Sequence, residues 1–407
     1  MSGGLLHPDK ALRLILRGVR PLGSERAPLE ECAGRVLAEK ISASCDLPHF
    51  DNSAMDGYAV RSRDLRGARK SAPARLALQE TVRAGRTPRR RVKPGHAVKI
   101  MTGAPLPEGA DAVVMRECAR EEDGKVALFL APEPGENVRR RGEDVRAGDA
   151  LLEPGSVLRS YEIALLASQG VARVSVVRRP RVAVLVSGDE LVHHSRKPGP
   201  GRIRDSNGPA LRALLSRWGA VVSGGAVVRD SLSACRKALS RALAGADALV
   251  VSGGVSVGDF DHTREALASL GLREVFWRIA IKPGKPLLFG LIGGKPVFGL
   301  PGNPVSSLVC CEEFVRPAVE KLAGRAAGVP SYHMRGVMAN EYPKPAHLRQ
   351  FVFCTVRSEG GKFLLSAIRP QGSAMLGMSS RARGLVRADI GLKRLLPGME
   401  VDFRWLK

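Results

Sequence analysis

Carboxylates recur just past short β-branched runs in the second half of the chain. The run 181–187 leads into Asp189 and Glu190, the run 220–228 into Asp230, and the run 247–252 into SGGVSVGDFD, which closes on Asp261. Carboxylate oxygens are hard ligands, and without paired His or Cys nearby they suit Mg2+. A Mg2+ ion held among Asp189, Glu190, Asp230 and Asp261 would bridge phosphate oxygens and offset charge during cleavage of a phosphoanhydride. Lys282 and Lys285 stand three apart around a Pro-Gly turn in IKPGKP. Two ammonium groups so placed can hold one tetrahedral oxyanion, because lysine acts as a compact point charge. Gly253 and Gly254 let backbone N–H groups turn toward an anion, and Ser252 and Ser256 can donate hydroxyls. In GLPGNPVSS, Pro301-Gly302-Asn303-Pro304 forms a rigid turn ending at a helix N1 proline, with Ser306 just inside that helix.

Each feature also has a plainer reading. Asp230 and Asp261 can cap helices, the lysines can be solvated, and a Gly-rich turn can be only a turn. Their convergence at one sheet edge favours a phosphate or oxyanion pocket. His193-His194 lies in a loop rich in Pro, Gly and Lys and reads as solvated. A second cluster lies earlier, in FDNSAMDGYAVR (50–61), KIMTGAPLPEGADAVV (99–114) and ENVRRRGEDV (136–145). Small and polar residues at that density between β-type runs shape either a site or tight turns.

The elements that must position these groups follow from periodicity. Strands over 181–187, 220–228 and 247–252 alternate with helices over 208–218, 232–243 and 263–270. Strand segments follow at 275–281, 287–291 and 297–299, and a closing helix at 304–322. Strand–turn–helix repetition predicts a doubly wound sheet, whose ligands bind beyond the carboxyl ends of its strands. Residues 5–20 and 28–40 carry helical spacing, and a further helix is expected at 161–168. Between them, 47–140 turns Gly- and Pro-rich, with β-type runs at 75–78, 97–101, 112–115 and 126–130. The tail returns to short strands, and RSEGGKFLLSAI reads as a hairpin around Gly360-Gly361. The expected division is 1–46 with 141–178 as an N-terminal mixed α/β domain, 47–140 as an inserted β-rich domain, 179–327 as the α/β domain and 328–407 as a C-terminal β domain.

Composition narrows the function classes. A chain of 407 residues exceeds one core, so several domains are expected. No apolar run approaches the ~20 residues that span a bilayer, and the N-terminus lacks the order of a signal peptide, so a cytoplasmic place is expected. Net charge is +24, from 64 basic and 40 acidic residues. That excess fits an anionic substrate or an arginine-rich solvated surface. No recognition helix, zinc finger or aromatic RNA-binding signature accompanies it, which argues against nucleic acid. Seven cysteines without a C-x-x-C pair argue against a disulfide framework and a zinc ribbon.

Seven strings occur in order: DNSAMDGYAVR, IMTGAP, RRRGED, SGDEL, SGGVSVG with Asp259 and Asp261, IKPGKP and GLPGNPVS. Together they resemble the molybdopterin molybdenumtransferase family, that of MoeA and the gephyrin E domain, over nearly the whole chain. The resemblance implies a multidomain α/β fold, with a central doubly wound molybdopterin-binding domain, an inserted β-rich domain and a small C-terminal β-barrel-like domain. It implies an elongated homodimer whose cleft is completed by the partner's β-rich domain. The implied reaction inserts molybdenum from molybdate into adenylylated molybdopterin, releases AMP and uses Mg2+. Transient contact with the molybdopterin adenylyltransferase and with acceptor apo-enzymes is implied as well, with neither nucleic acid nor membrane as partner. On the residues here, Asp56, Thr102, Arg139 and Asp144 match the β-rich side, and Glu190, Asp230 and Asp261 the carboxylates. Ser252, Gly253, Gly254, Ser256, Lys282, Lys285, Pro301, Pro304, Ser306 and Ser373 match the substrate pocket. Arg278, Arg204 and His262 depart from frequent Lys, aromatic and Tyr respectively. A binding scaffold, or an enzyme acting on a nucleotide or pyranopterin without metal insertion, are the rival classes.

Overall fold

The computed structural model describes residues 4–255, 262–326 and 330–406. Ser256 and Asp261, two of the expected site residues, lie outside the described residues. The chain forms two compact units. One holds Met1–Ala38, Gly155–Ser160 and Arg173–Lys407; the other holds Glu39–Pro154 and Tyr161–Ala172. Ser24–Pro28 pairs antiparallel with Arg173–Val177, so the chain leaves the first unit and rejoins it beside its point of departure.

The first unit is built on a twisted sheet. Among the described residues its strand order is Val221–Val228, Arg181–Ser187, Ala248–Ser252, Lys295–Leu300, Leu288–Ile292 and Arg273–Trp277. The first four run parallel, and the last two form an antiparallel edge. Arg181–Ser187 is buried along both faces, which is why it reads as a continuous β-branched run rather than an alternating one. Val182, Val184, Val250 and Phe298 point to one core, covered by the helices Pro8–Gly18 and Asn207–Arg217 and by the closing helix. Ala183, Leu185, Leu249 and Val251 point to the other, covered by Leu232–Ala244 and His262–Ser269. Helices on both faces make this a doubly wound sheet, as expected.

The closing helix differs in detail from a single α-helix over 304–322. It runs as α-helix Pro304–Cys310, a π turn Cys311–Val315 and α-helix Arg316–Leu322. Pro317 has no N–H to donate and its ring crowds the carbonyl four residues back, and the wider turn accommodates both. The helix expected over 28–40 does not form. A short 3-10 turn spans Leu29–Glu31, Gly34 adopts φ +75°, and Val36 and Leu37 bridge to Val157 and Val176. Leu29, Cys32 and Val36 are all buried, so apolar spacing that mimics a helix is met by a turn and bridges instead.

The C-terminal part closes into a barrel. Arg349–Glu359, Lys362–Ala367, Met334–Met338, Glu400–Trp405 and Gly384–Ala388 pair in sequence, and the last pairs back on the first. The expected hairpin at Gly360-Gly361 joins the first two. Phe403, Val352, Leu365 and Val386 fill its interior. Ile281–Lys282 joins the barrel in parallel, with Lys282 opposite Gln350.

The second unit is β-rich, as expected for its central stretch. Its sheet has the order Ala112–Met115, Gly57–Val60, His96–Ile100, Ala74–Val82, Lys125–Leu128 and Ala119–Glu122. Tyr58, Val60, Leu76, Val114 and Leu128 pack on one face. Ala59, Val98, Ile100 and Val113 pack on the other. No helix among the described residues is long and apolar enough to cross a membrane.

Candidate active site

The carboxyl ends of the parallel strands open into a cleft of about 640 Å³ that Glu190, Asp230, Ser252, Gly253, Gly254, Pro301 and Pro304 line. Asp230 is held by its neighbours. The Ser187 hydroxyl donates to its Oδ1 at 2.5 Å and the Asp189 N–H to its Oδ2 at 3.2 Å. In return the Asp230 N–H donates to Asp189 Oδ1 at 3.2 Å. Adjacent parallel strands end in these two loops, so the carboxylates meet because the strands do. Glu190 is exposed, and a Cβ added at Gly188 would stand 2.7 Å from both its carboxylate oxygens, so that carboxylate folds back over the strand end.

Ser252 and Gly253 serve the cleft differently from the reading of them as ligand donors. The Ser252 hydroxyl is fully buried and donates to Pro301 O at 3.2 Å. It also lies 3.1 Å from Ser307 Oγ and accepts from Asn207 Nδ2 at 2.9 Å. The Gly253 N–H donates to Leu300 O at 3.0 Å rather than facing an anion. Gly253 and Gly254 adopt φ +96° and +67°. A Cβ on Gly253 would lie 2.4 Å from Ser187 O, and one on Gly254 would lie 2.2 Å from Thr263 Oγ1. Glycine is therefore required here for close approach of the loop to the strand end.

Asn207 was not singled out from the sequence. It is buried, and its Nδ2 reaches Gly302 O at 2.7 Å as well as Ser252 Oγ. One side chain thus ties the start of a helix to both glycine- and proline-containing loops of the cleft. The signal was present in RDSN, ahead of an apolar-periodic run, but its partners are far off in sequence.

A second cleft, of about 650 Å³, adjoins the first and shares Pro286, Pro301 and Asn303 with it. Lys282, Lys285, Ser306 and Ser373 line it. Both lysines are exposed, and Ile279 N–H donates to Lys285 O at 2.9 Å to hold the loop. Ser306 is buried beneath the proline turn. Ser373 meets that turn directly: Val305 N–H donates to Ser373 O at 2.9 Å and Asn303 Nδ2 to Ser373 Oγ at 3.0 Å. The far wall is apolar, with Leu348, Phe351, Phe353 and Met378. Gln350 is buried in the same wall, with Nε2 donating to the Tyr342 hydroxyl at 2.9 Å and its carbonyl oxygen unpartnered. Burial pushes the thiols of Cys310 and Cys311 up, and the Cys310 thiol donates to Gly284 O of the lysine loop at 3.4 Å.

Among the described residues no three His, Cys, Asp or Glu side chains gather as a metal site. Glu190 and Asp230 do line one cleft, and each Asp230 oxygen keeps a lone pair beyond its one donor. Mg2+ is commonly held by one or two carboxylates plus substrate phosphates, so this pair fits it.

In the other unit, Asp56 and Thr102 come together. The Thr102 N–H and hydroxyl both donate to Asp56 Oδ1, each at 2.7 Å. That N–H, then the hydroxyl, holds the Asp56 carboxyl below the usual carboxylate range. Arg139 bridges to Asn52, and Ser53 exchanges hydrogen bonds with Gly103 and Ala104. The strings DNSAMDG, IMTGAP and RRRGED are therefore knitted into one surface. Asp144 is exposed, with its N–H on Leu47 O at 3.0 Å. Arg140 pairs with Asp51 at 2.7 Å and Arg141 with Asp46 at 2.5 Å, and Arg139 is exposed beside them.

Three family models match successive stretches of the chain. The MoeA N-terminal region (domain I and II) matches residues 6–170, a probable molybdopterin binding domain 183–321, and the MoeA C-terminal region (domain IV) 335–406. A molybdopterin molybdenumtransferase of Nostoc sp. is 42% identical over 298 residues, 72% of this chain and 68% of its own. Molybdopterin molybdenumtransferase 2 of Mycobacterium tuberculosis is 35% identical over 91% of this chain and 92% of its own. The crystal structure of the molybdopterin biosynthesis MoeA protein from Pyrococcus horikoshii covers 99% of this chain and 100% of its own, at 28% identity and TM-score 0.83.

Proposed function

Because the chain belongs to the molybdopterin molybdenumtransferase (MoeA) family, we propose that it inserts molybdenum from molybdate into adenylylated molybdopterin, releasing AMP in a Mg2+-dependent reaction. The observation that carries this reading is the pair of adjoining clefts, one lined by Lys282 and Lys285 and the other by Glu190 and Asp230. Both substrates are anions, and the two clefts divide the work between them. Lys282 and Lys285 hold the molybdate oxygens as point charges, with Ser306 and Ser373 at the same wall. A cleft of about 650 Å³ exceeds what an oxyanion fills and leaves room for part of the organic substrate against Phe351 and Phe353.

Glu190 and Asp230, with Asp261, would hold Mg2+, which when bound offsets charge on the phosphoanhydride. The Ser187 hydroxyl and the Asp189 N–H orient the Asp230 carboxylate for that task. Positioning and charge stabilisation carry the step without a covalent nucleophile. Asp56, Thr102, Arg139 and Asp144 are further contributors to the same reaction. A homodimer, a cytoplasmic location, and transient contact with the adenylyltransferase and acceptor apo-enzymes belong to the same proposal.

The test is AMP release from adenylylated molybdopterin, followed by chromatography. Release is expected to require both molybdate and Mg2+, and release indifferent to molybdate would overturn the reading. Lys282→Ala and Lys285→Ala are expected to raise KM for molybdate about 10- to 100-fold, the worth of a charge-assisted contact.

A further inference from the structure

We infer that Arg204 is the residue that receives the phosphoanhydride of the substrate in the carboxylate cleft, an assignment that rests on the proposed function above. Among the described residues the charged side chains lining that cleft are Glu190, Asp205, Asp230 and Arg204. Arg204 is the one cationic side chain among these, so beside the carboxylates that would hold Mg2+ it is the protein's own positive group for an anion in the cleft. The carboxylates are differently engaged: Asp205 is buried and accepts the Gly208 N–H at 2.8 Å as a helix cap. Glu190 and Asp230 are left to face the cleft.

Arg204 is positioned rather than merely exposed. Its backbone belongs to a short parallel ribbon, with Leu191 opposite Ile203 and Val192 opposite Arg204. Ile203 N–H donates to Glu190 O and Asp205 N–H to Val192 O, each at 2.8 Å. Arg204 therefore stands between the Glu190 loop and a helix cap, both fixed to the sheet. Its Nε donates to Arg196 O at 3.0 Å, which sets the plane of the guanidinium. No carboxylate pairs with it among the described residues. Nη1 and Nη2 remain to donate in parallel to two non-bridging phosphate oxygens, the geometry in which arginine exceeds lysine. Arg196, Lys197 and Arg202 share the loop without lining the cleft, and they serve as internal controls.

The experiment titrates the full-length protein with AMP and with inorganic pyrophosphate by calorimetry, alongside turnover of adenylylated molybdopterin. Arg204→Gln is expected to weaken AMP and pyrophosphate about 10- to 100-fold and to raise KM for the adenylylated substrate similarly, more than it lowers kcat. Arg204→Lys is expected to recover part of that loss and Arg202→Gln to bind as the unaltered chain does. Normal turnover of the unaltered chain with undiminished affinity in Arg204→Gln overturns the role of Arg204 and leaves the molybdenumtransferase reading in place. Pyrophosphate binding that depends on Arg204, without AMP binding or turnover, overturns that reading and leaves Arg204 as a phosphate ligand. Equal losses in Arg204→Gln and Arg202→Gln assign the effect to loop charge alone and overturn the inference.

Discussion

Gly253 carries a contact that no other residue can make. Its left-handed backbone lets the loop after Ala248–Ser252 lie against Ser187 O, and Ser187 in turn holds Asp230. Gly253→Ala must push that carbonyl or the loop away. The expected cost is about 1–3 kcal/mol in a denaturant melt, with AMP release falling more than stability alone explains. A Gly253→Ala protein with native melting and native turnover would show that the approach is unimportant. At this scale the sequence was informative where chemistry is local. Lys282 and Lys285 are neighbours by spacing, and both line one cleft. It was uninformative where a side chain acts through distant partners. Asn207 reaches Ser252 and Gly302, 45 and 95 positions away, and no local pattern announces such bonds. Ser252 shows the reverse: a hydroxyl at a strand end resembles a ligand donor until its buried partners are known.

Elements explain which boundaries could be read and which could not. The strand Arg181–Ser187 was legible because a run buried on both faces leaves a continuous β-branched signature. The stretch 28–40 misled because turns and bridges can bury Leu29, Cys32 and Val36 as a helix would. Other elements are joined by charge rather than apolar contact. Arg349, at the start of a barrel strand, reaches Asp9 in the first turn of Pro8–Gly18 at 2.6 Å and 3.1 Å, and Asp389 at 2.6 Å. The hydrogen bond from Arg349 holds the Asp9 carboxyl below its ordinary value of 3.8. A depressed carboxylate contributes stability above its unfolded value and loses it as pH falls through the folded one. Asp9→Asn is therefore expected to lower the melting temperature at neutral pH and to make no difference once pH lies below the depressed value. Asp9 is partly exposed, so solvent screening holds the effect to under about 1 kcal/mol. A difference between Asp9→Asn and the parent that persists unchanged once both proteins are titrated below the depressed value would remove the ion pair as its cause.

The molecule as a whole is two units laid along one chain in an interrupted order, which composition could not disclose. Four domains were expected from the strings, and what pattern alone supports is the contrast between a β-rich middle and an alternating second half. The barrel was only hinted at, since closure depends on Gly384–Ala388 pairing back on Arg349–Glu359. Assembly is open to a direct measurement. Light scattering on the purified protein is expected to return twice the chain mass of 43.5 kDa, and a single-chain mass across micromolar concentrations would remove the homodimer from the proposed function.

The pairing of Ile281–Lys282 with Arg349–Gln350 also has a meaning in time. During synthesis the sheet of the α/β part can be complete while the barrel is still inside the ribosome, since domains fold largely in the order they emerge. The lysine loop then has no strand to lie against. Only when the strand Arg349–Glu359 emerges does the loop acquire its partner, so a chain interrupted before it would hold a finished sheet and an unpaired lysine loop. The lysine loop is thus completed by a strand made after the whole of the α/β sheet.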